Sequence, residues 1–472
     1  MKIYNSFTQT KEEFVPREIG KVGIYVCGIT TYDYLHLGHA RMLVAFDIVT
    51  RYLCSQGLAV EYVRNITDID DKIINRAKEN GEVFTDLTTR FIDAMHEDEA
   101  ALGVLPPDQE PRATGHIGEI VALIQTLIEK DNAYPAANGD VYFSVSSFAD
   151  YGKLSKKKMD ELLDGARIDI GELKRDPRDF VLWKRAEEGG VGWDSPWGYG
   201  RPGWHIECSA MSSCCLGDTF DIHGGGSDLL FPHHENEIAQ SEAATGAKFA
   251  NLWMHNGPLR IDNEKMSKSL GNFFTVREVL KVYDAEVLRH LLIASHYRSA
   301  INYSEQSLQQ SESTLERFYN ALKGLDTAGA KTLTNSRFEK AFIAAMDDDF
   351  NTAEAFAVLM DVVKEINRLK GEGETEAESA NQLGALLVRL GSVLGVLQRT
   401  PEDFLRRGMD ESIDAAHIEA LIAAREQARA DKHWAEADRI RDELAALHVG
   451  VEDGARGGSG WRIEAPERQT TA

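Results

Sequence analysis

Long apolar runs are missing from this 472-residue chain, although 43% of it is hydrophobic. No stretch approaches the roughly 20 consecutive apolar residues that a membrane-spanning helix needs, so a helical membrane protein is excluded and no membrane partner is expected. Cysteine is scarce as well. Cys27, Cys54, Cys208, Cys214 and Cys215 are too few and too irregularly spaced for a disulfide framework at this size, which leaves buried thiols or metal ligands. Positive charge is in deficit: 52 Lys and Arg against 76 Asp and Glu give a formal net charge of −24. That balance argues against indiscriminate polyanion binding, since phosphate neutralisation by cations supplies most of such affinity. It does not exclude a folded RNA held by local basic patches and shape. Residues 1–10 carry neither an apolar signal core nor an Arg-rich amphipathic pattern, so the expected location is cytoplasmic. No solenoid-type repeat is present.

Size and composition suit a soluble protein of two to four domains. Strand-like and helix-like segments alternate early: residues 22–29, a helix after His39, residues 60–66, and helices from Asp71 onward. This alternation predicts an α/β, Rossmann-like parallel sheet. Between about residues 94 and 204 it is interrupted by helices, a hairpin-like stretch over 133–145 and a Gly/Pro/Trp-rich run over 189–203, which reads as an inserted domain. Sheet pattern resumes at residues 219–223 and 252–255, around a helix over 233–245. Residues 276–397 are helix-periodic and predict an α-helical bundle. Past Pro401 come polar helices over 418–430 and 434–447 with no evident core, then a Gly-rich stretch over 454–460.

Two short motifs point to one ligand. His36-Leu37-Gly38-His39 stands between a predicted strand and a predicted helix, a junction that aims unpaired backbone N–H groups and the positive helix end at an anion. Gly38 allows close approach and the imidazoles add donors. Lys265-Met266-Ser267-Lys268-Ser269 lies far downstream in a polar segment flanked by Gly257-Pro258 and Gly271-Asn272, free to reach the same phosphates. Together, in this order, they imply a nucleoside triphosphate held between two chain segments. His36–His39 resembles the HIGH signature of the class I aminoacyl-tRNA synthetases, with Leu37 in the usual Ile position, and residues 265–269 match its KMSKS signature.

A third constellation is more dispersed. Cys27 ends the first strand, Cys208 follows the Gly/Pro/Trp run, and His233 and Glu237 are spaced i, i+4, which on a helix puts both on one face. Thiolates, imidazole and carboxylate suit Zn²⁺. On spacing alone, buried core cysteines and an ordinary polar helix start are the commoner explanation. The surrounding text goes further. Residues 25–28 (Tyr25-Val26-Cys27-Gly28), 65–72 (from Asn65-Ile66-Thr67-Asp68), 200–209 (through Trp204-His205-Ile206-Glu207-Cys208), 223–228 and 231–237 closely resemble the cysteinyl-tRNA synthetase family, nearly end to end.

The resemblance implies one zinc ion at the amino-acid pocket, held by Cys27, Cys208, His233 and Glu237, with His234 the competing ligand. It implies ATP, with Mg²⁺, L-cysteine and tRNA(Cys) as partners of a monomer. It also implies cysteinyl-adenylate formation followed by transfer to tRNA. His36, His39, Lys265 and Lys268 become the catalytic groups. Gly38, Gly226, Asp228 and Lys268 become ATP contacts, and Gly28, Thr67 and Trp204 substrate contacts. The implied domains are a catalytic domain over 1–300 with its connective insertion, a bundle over 301–398 contacting the tRNA stem, and a small, mostly helical anticodon-binding domain over 399–472. Two rival readings share parts of the pattern: a mycothiol-pathway ligase that passes cysteine to an amino sugar, and a non-catalytic zinc-dependent RNA-binding paralogue. The long helical carboxyl-terminal part weighs against the first, and the intact His, Lys and ligand positions against the second.

Overall fold

The structure, a computed structural model, describes residues 1–157, 174–187, 189–261, 264–265, 274–331, 333–407, 415–447, 449–453 and 459–463. The chain forms two compact units. One comprises Met1–Ser311, Thr334–Asp361 and Leu390–Val396; the other Glu312–Leu333, Val362–Arg389 and Leu397–Ala472.

The first unit opens with an antiparallel hairpin of β1 (Lys2–Asn5) and β2 (Thr10–Glu13). This hairpin was not foreseen, because its strands are short and its second is almost wholly polar. β3 (Lys21–Thr30) leads through α1 (Leu37–Ser55) to β4 (Ala59–Thr67), which pairs with it in parallel. α2 (Asp71–Asn80), α3 (Phe84–Ala101) and α4 (Ile117–Glu129) follow. A separate antiparallel sheet, β5 (Ala133–Pro135), β6 (Val141–Phe143), β7 (Phe180–Arg185) and β8 (Gly200–Pro202), forms the heart of the interruption. α5 (Trp204–Leu216), β9 (Phe220–Gly226), α6 (Glu235–Thr245) and β10 (Ala250–Asn256) then resume the parallel sheet.

That sheet has the order β10-β9-β3-β4. From β3 the chain progresses outward to β4 on one side, and from β9 outward to β10 on the other, so a topological switch lies between β3 and β9. In open α/β sheets ligands bind in the crevice outside the carboxyl ends of the strands at such a point. Val22, Ile24, Tyr25 and Val26 of β3 are at most 1% exposed, as expected for a strand covered on both faces. α1 comes down tightly on the sheet because Gly224 has no side chain: a Cβ there would stand 2.3 Å from the Phe46 ring. Beyond β10, β11 (Leu259–Ile261) pairs with β12 (Glu264–Lys265), and after α7 (Val276–Leu280) and α8 (Ala285–Ile293) also with β13 (Ile301–Tyr303).

Downstream the chain is helical, as its periodicity predicts, with helices over Glu305–Leu322, Arg337–Asp347, Thr352–Glu372 and Ala377–Val393. In the second unit Tyr319 stacks on Phe404 at 4.1 Å. The helices Ala415–Ala430 and Trp434–Ala446 do have a core after all: Ile418, Ile422, Ile440, Leu444 and Val449 form one buried cluster. Each helix supplies a single i, i+4 pair, a seam too narrow to stand out in so polar a sequence. Val449–Asp453 and Ser459–Ile463 close the unit as an antiparallel hairpin. Among the described residues no helix is long and apolar enough to cross a membrane.

Candidate metal and nucleotide site

Near the carboxyl end of β3 its pairing with β4 slips, for Val26 faces Arg64 but Ile29 faces Ile66. One extra residue on β3 is a bulge, and it falls at Cys27-Gly28. Gly28 admits no side chain, because a Cβ would lie 1.6 Å from the Asn65 carbonyl oxygen. Its N–H donates to Asn65 Oδ1 at 2.9 Å. The bulge delivers Cys27 Sγ to within 3.1 Å of Glu237 Oε1. His233 Nε2 reaches the same oxygen at 3.1 Å, and Cys208 arrives from α5. The ligand-type atoms of Cys27, Cys208, His233 and Glu237 all lie within 4.8 Å of one another, and all four residues are buried.

A carboxylate with no exposure is costly unless compensated. Glu237 is compensated by His223, whose Nε2 lies 2.8 Å from Oε2. Burial would raise the Glu237 carboxyl, but the His223 and His233 imidazoles overcome it and hold the group well below the carboxylate range. Burial lowers His233, yet Glu237 and Cys208 lift it to about 10. Burial pushes the Cys208 thiol up, and hydrogen bonds from Cys27 and His233 bring it down to about 6. Cys27 is pushed well up, by burial first and then by Cys208 and Glu237. A soft dication bound here would displace the protons held by the thiols and the imidazole. Two sulfurs, a nitrogen and an oxygen fit Zn²⁺.

A second grouping, Cys27, His223, His234 and Glu237, satisfies the same distance test. The first is the better cage. It has both sulfurs, and it leaves His223 as the outer partner that orients Glu237. His234 Nε2 stands farther from Glu237 Oε1, at 4.0 Å against 3.1 Å for His233 Nε2, and its Nδ1 lies 2.8 Å from His255 Nε2, whose Nδ1 in turn lies 2.8 Å from Ser6 Oγ. His233 Nδ1 lies 2.8 Å from His205 Nδ1, so that ring too is fixed from behind. Trp204 packs on His233 at 4.2 Å between ring centroids and is 38% exposed. Thr67, 2% exposed, donates to Glu207 Oε2 at 3.1 Å. Asp70 caps α2, and Asp68 accepts from Thr114 N and Oγ1. Cys214 is exposed and Cys215 packs at the edge of the core.

The first nucleotide motif meets residues 274–276, which follow the second in sequence. His36 is the N-cap of α1, its Nδ1 accepting from His39 N at 3.2 Å, and the two rings stack at 3.4 Å. Leu37 and Gly38 are the first residues of the helix. Phe274–Val276 lie antiparallel to Leu35–Leu37: Leu37 N donates to Phe274 O at 3.2 Å, Val276 N to Leu35 O at 2.8 Å, and His36 bridges to Thr275. Lys265 ends β12; Lys268 and residues 266–273 lie outside the described residues. Gly226 ends β9, one strand from β3, and Asp228 folds back over it.

Comparison with known proteins gives three family profiles in chain order: tRNA synthetases class I (C) catalytic domain over residues 13–313, DALR domain over 341–398, and Cysteinyl-tRNA ligase anticodon binding domain over 415–462. The cysteine–tRNA ligase of Pseudomonas entomophila (strain L48) is 62% identical over 463 residues, 98% of this chain and 99% of that one. The chain belongs to the cysteine–tRNA ligase family. The ligases of Ectopseudomonas mendocina (strain ymp) and Azotobacter vinelandii (strain DJ / ATCC BAA-1303) are each 61% identical over the same spans. A solved Mycobacterium tuberculosis methionyl-tRNA synthetase in complex with methionyl-adenylate shares the fold at a TM-score of 0.58 and 15% identity, over 82% of this chain and 95% of that one. Members of the cysteine–tRNA ligase family are enzymes of class I, and this chain has that architecture.

Several participants in the site escaped the sequence reading. Asn65, His205 and His223 lie inside the quoted motifs but received no role, because hydrogen bonds between distant segments leave no periodicity to read. The bridge from Thr275 to His36 had no sequence signal.

Proposed function

We propose that this chain joins L-cysteine to tRNA(Cys) in the cytoplasm as a monomer. The cysteine carboxylate attacks the α-phosphorus of ATP, which is bound with Mg²⁺. The bond to the β-phosphate breaks and pyrophosphate leaves. A ribose hydroxyl at the 3′ end of the tRNA then attacks the adenylate carbonyl and AMP departs. No covalent enzyme nucleophile is needed, so the side chains act by positioning and electrostatics. His36 and His39, at the positive end of α1, stabilise charge on the α-phosphate, and Gly38 lets it approach. Gly226 and Asp228 meet the ribose and adenine. Lys265 and Lys268 stabilise the departing pyrophosphate.

Cys27, Cys208, His233 and Glu237 would hold zinc. When bound, it supplies a soft Lewis acid that takes a thiolate readily and a serine hydroxyl poorly. A shape pocket separates such near-isosteres by only about 1–3 kcal/mol. Gly28 and Thr67 orient the substrate's amino end and Trp204 walls the pocket. In this reading residues 1–300 are the catalytic domain with its insertion over about 94–204, residues 301–398 the stem-contacting bundle and residues 399–472 the anticodon-binding domain.

One observation carries the reading: a buried cage of two thiols, imidazole and carboxylate at the sheet's switch point, within a chain 62% identical to a cysteine–tRNA ligase. Cysteine-dependent ATP–pyrophosphate exchange followed by tRNA charging tests it, with serine and a chelator as controls. Exchange without charging would favour the amino-sugar ligase, and neither activity the non-catalytic paralogue.

A further inference from the structure

Arg277 sits in the first turn of α7, two residues past Thr275, the bridge partner of His36. Its guanidinium leaves α7 and reaches α3. It donates to the Ala94 carbonyl at 2.8 Å and to Glu97 at 2.6 Å, and its Nε lies 3.0 Å from Asp98 Oδ1. It also lies over the Tyr34 ring, 5.1 Å from the centroid. Tyr34 in turn meets Phe91 of α3 edge-on at 5.2 Å. Arg277 therefore touches Tyr34, two residues before His36, and is joined through the α7 backbone to Thr275, which bridges to His36. Nη2 makes both hydrogen bonds and Nε faces Asp98 as an ion pair, so two nitrogens of one rigid planar group serve these partners, which a single flexible ammonium nitrogen does not reproduce.

We infer that Arg277 is a positioning residue for His36, locking the bridged pair of segments Leu35–Leu37 and Phe274–Val276 against α3 so that the imidazole meets the α-phosphate at the right place. The inference rests on the role of His36 proposed above. Two backbone hydrogen bonds join the paired segments, and misplacing a reacting group by about 1 Å can cost on the order of 10²-fold in rate. Core packing does not explain the residue. Its side chain is 34% exposed and borders a surface cavity of about 510 Å³ lined also by Tyr34, Thr89, Arg90 and Glu97. Of its two carboxylate partners Asp98 is the buried one, and burial, helped by Glu97 and Glu99, pushes its carboxyl up to about 6 although Arg277 lowers it.

The test compares Arg277→Lys, which keeps the counter-charge of Asp98, with the charge-neutral pair Arg277→Gln and Asp98→Asn, which leaves no buried carboxylate unpaired. His36→Ala is the reference. Expected for both designs is a fall of about 10- to 100-fold in kcat for ATP–pyrophosphate exchange, the Lys form being the milder. Zinc content per chain and the cysteine Kd from equilibrium dialysis stay at the parent values. Exchange within twofold of the parent in both designs, while His36→Ala is impaired, overturns the inference about Arg277. Parent-level exchange in His36→Ala overturns the role of His36 and the inference with it. A parallel loss of zinc or cysteine binding also overturns it, since that would mark general structural damage.

Discussion

Glu237 gives one oxygen to the ligand cluster and the other to His223, which makes the carboxylate's orientation, and not only its charge, a property of a histidine that would touch no metal. Outer partners of this kind are worth about 10–100-fold in metal affinity. His223→Ala is accordingly expected to weaken zinc binding by that factor, measured by competition with a chromophoric chelator, while Cys208→Ser abolishes stoichiometric zinc. Unchanged affinity in His223→Ala would mean that α6 alone orients Glu237. Gly28 makes a second residue-scale prediction. With the Asn65 carbonyl 1.6 Å from the position of a Cβ, Gly28→Ala forces the two strands apart. A loss of about 1–3 kcal/mol or more in unfolding free energy is expected from such overpacking, together with zinc loss, because the bulge that aims Cys27 cannot persist. A urea titration showing parent stability would contradict this.

At the scale of elements, the parallel strands, α1 and the helical tail were legible because hydrophobic periodicity reports burial by local spacing alone. β3 and β4 were expected within a residue or two of their observed ends, since apolar residues run through both: Val22, Ile24, Tyr25, Val26 and Ile29 in one, Val60, Tyr62, Val63 and Ile66 in the other. What could not be read is whatever depends on register. The slip between Val26 and Ile29, the pairing of Leu35–Leu37 with Phe274–Val276 and the hydrogen bonds of His205 all join residues far apart in sequence. The ligand set was legible only through the family's motifs, because Cys27 lies in β3, Cys208 in α5, His233 in the turn Leu230–His234 and Glu237 in α6. The element-scale prediction concerns the segment that follows β12. Lys268→Ala is expected to reduce ATP–pyrophosphate exchange by on the order of 10²–10³-fold, with cysteine binding and zinc content unchanged. Simultaneous loss of all three would show that the lysine supports the fold instead.

For the whole molecule the decisive quantity is charge. A chain of net −24 must bind a polyanion through local patches against an unfavourable overall field, so its affinity for tRNA is expected to be strongly salt-sensitive. The logarithm of the binding constant should fall linearly with the logarithm of salt concentration, which a filter-binding titration measures; a flat line would rule out phosphate contacts. The central claim joins the scales: amino-acid choice is made by a metal held in the Cys27, Cys208, His233 and Glu237 cage. The most direct measurement is ATP–pyrophosphate exchange with cysteine and with serine, on zinc-loaded and on chelator-treated protein. The account predicts that the loaded enzyme prefers cysteine by several orders of magnitude and that removing zinc collapses this preference, with zinc restoring it. Metal-free protein that still rejects serine as strongly would contradict it.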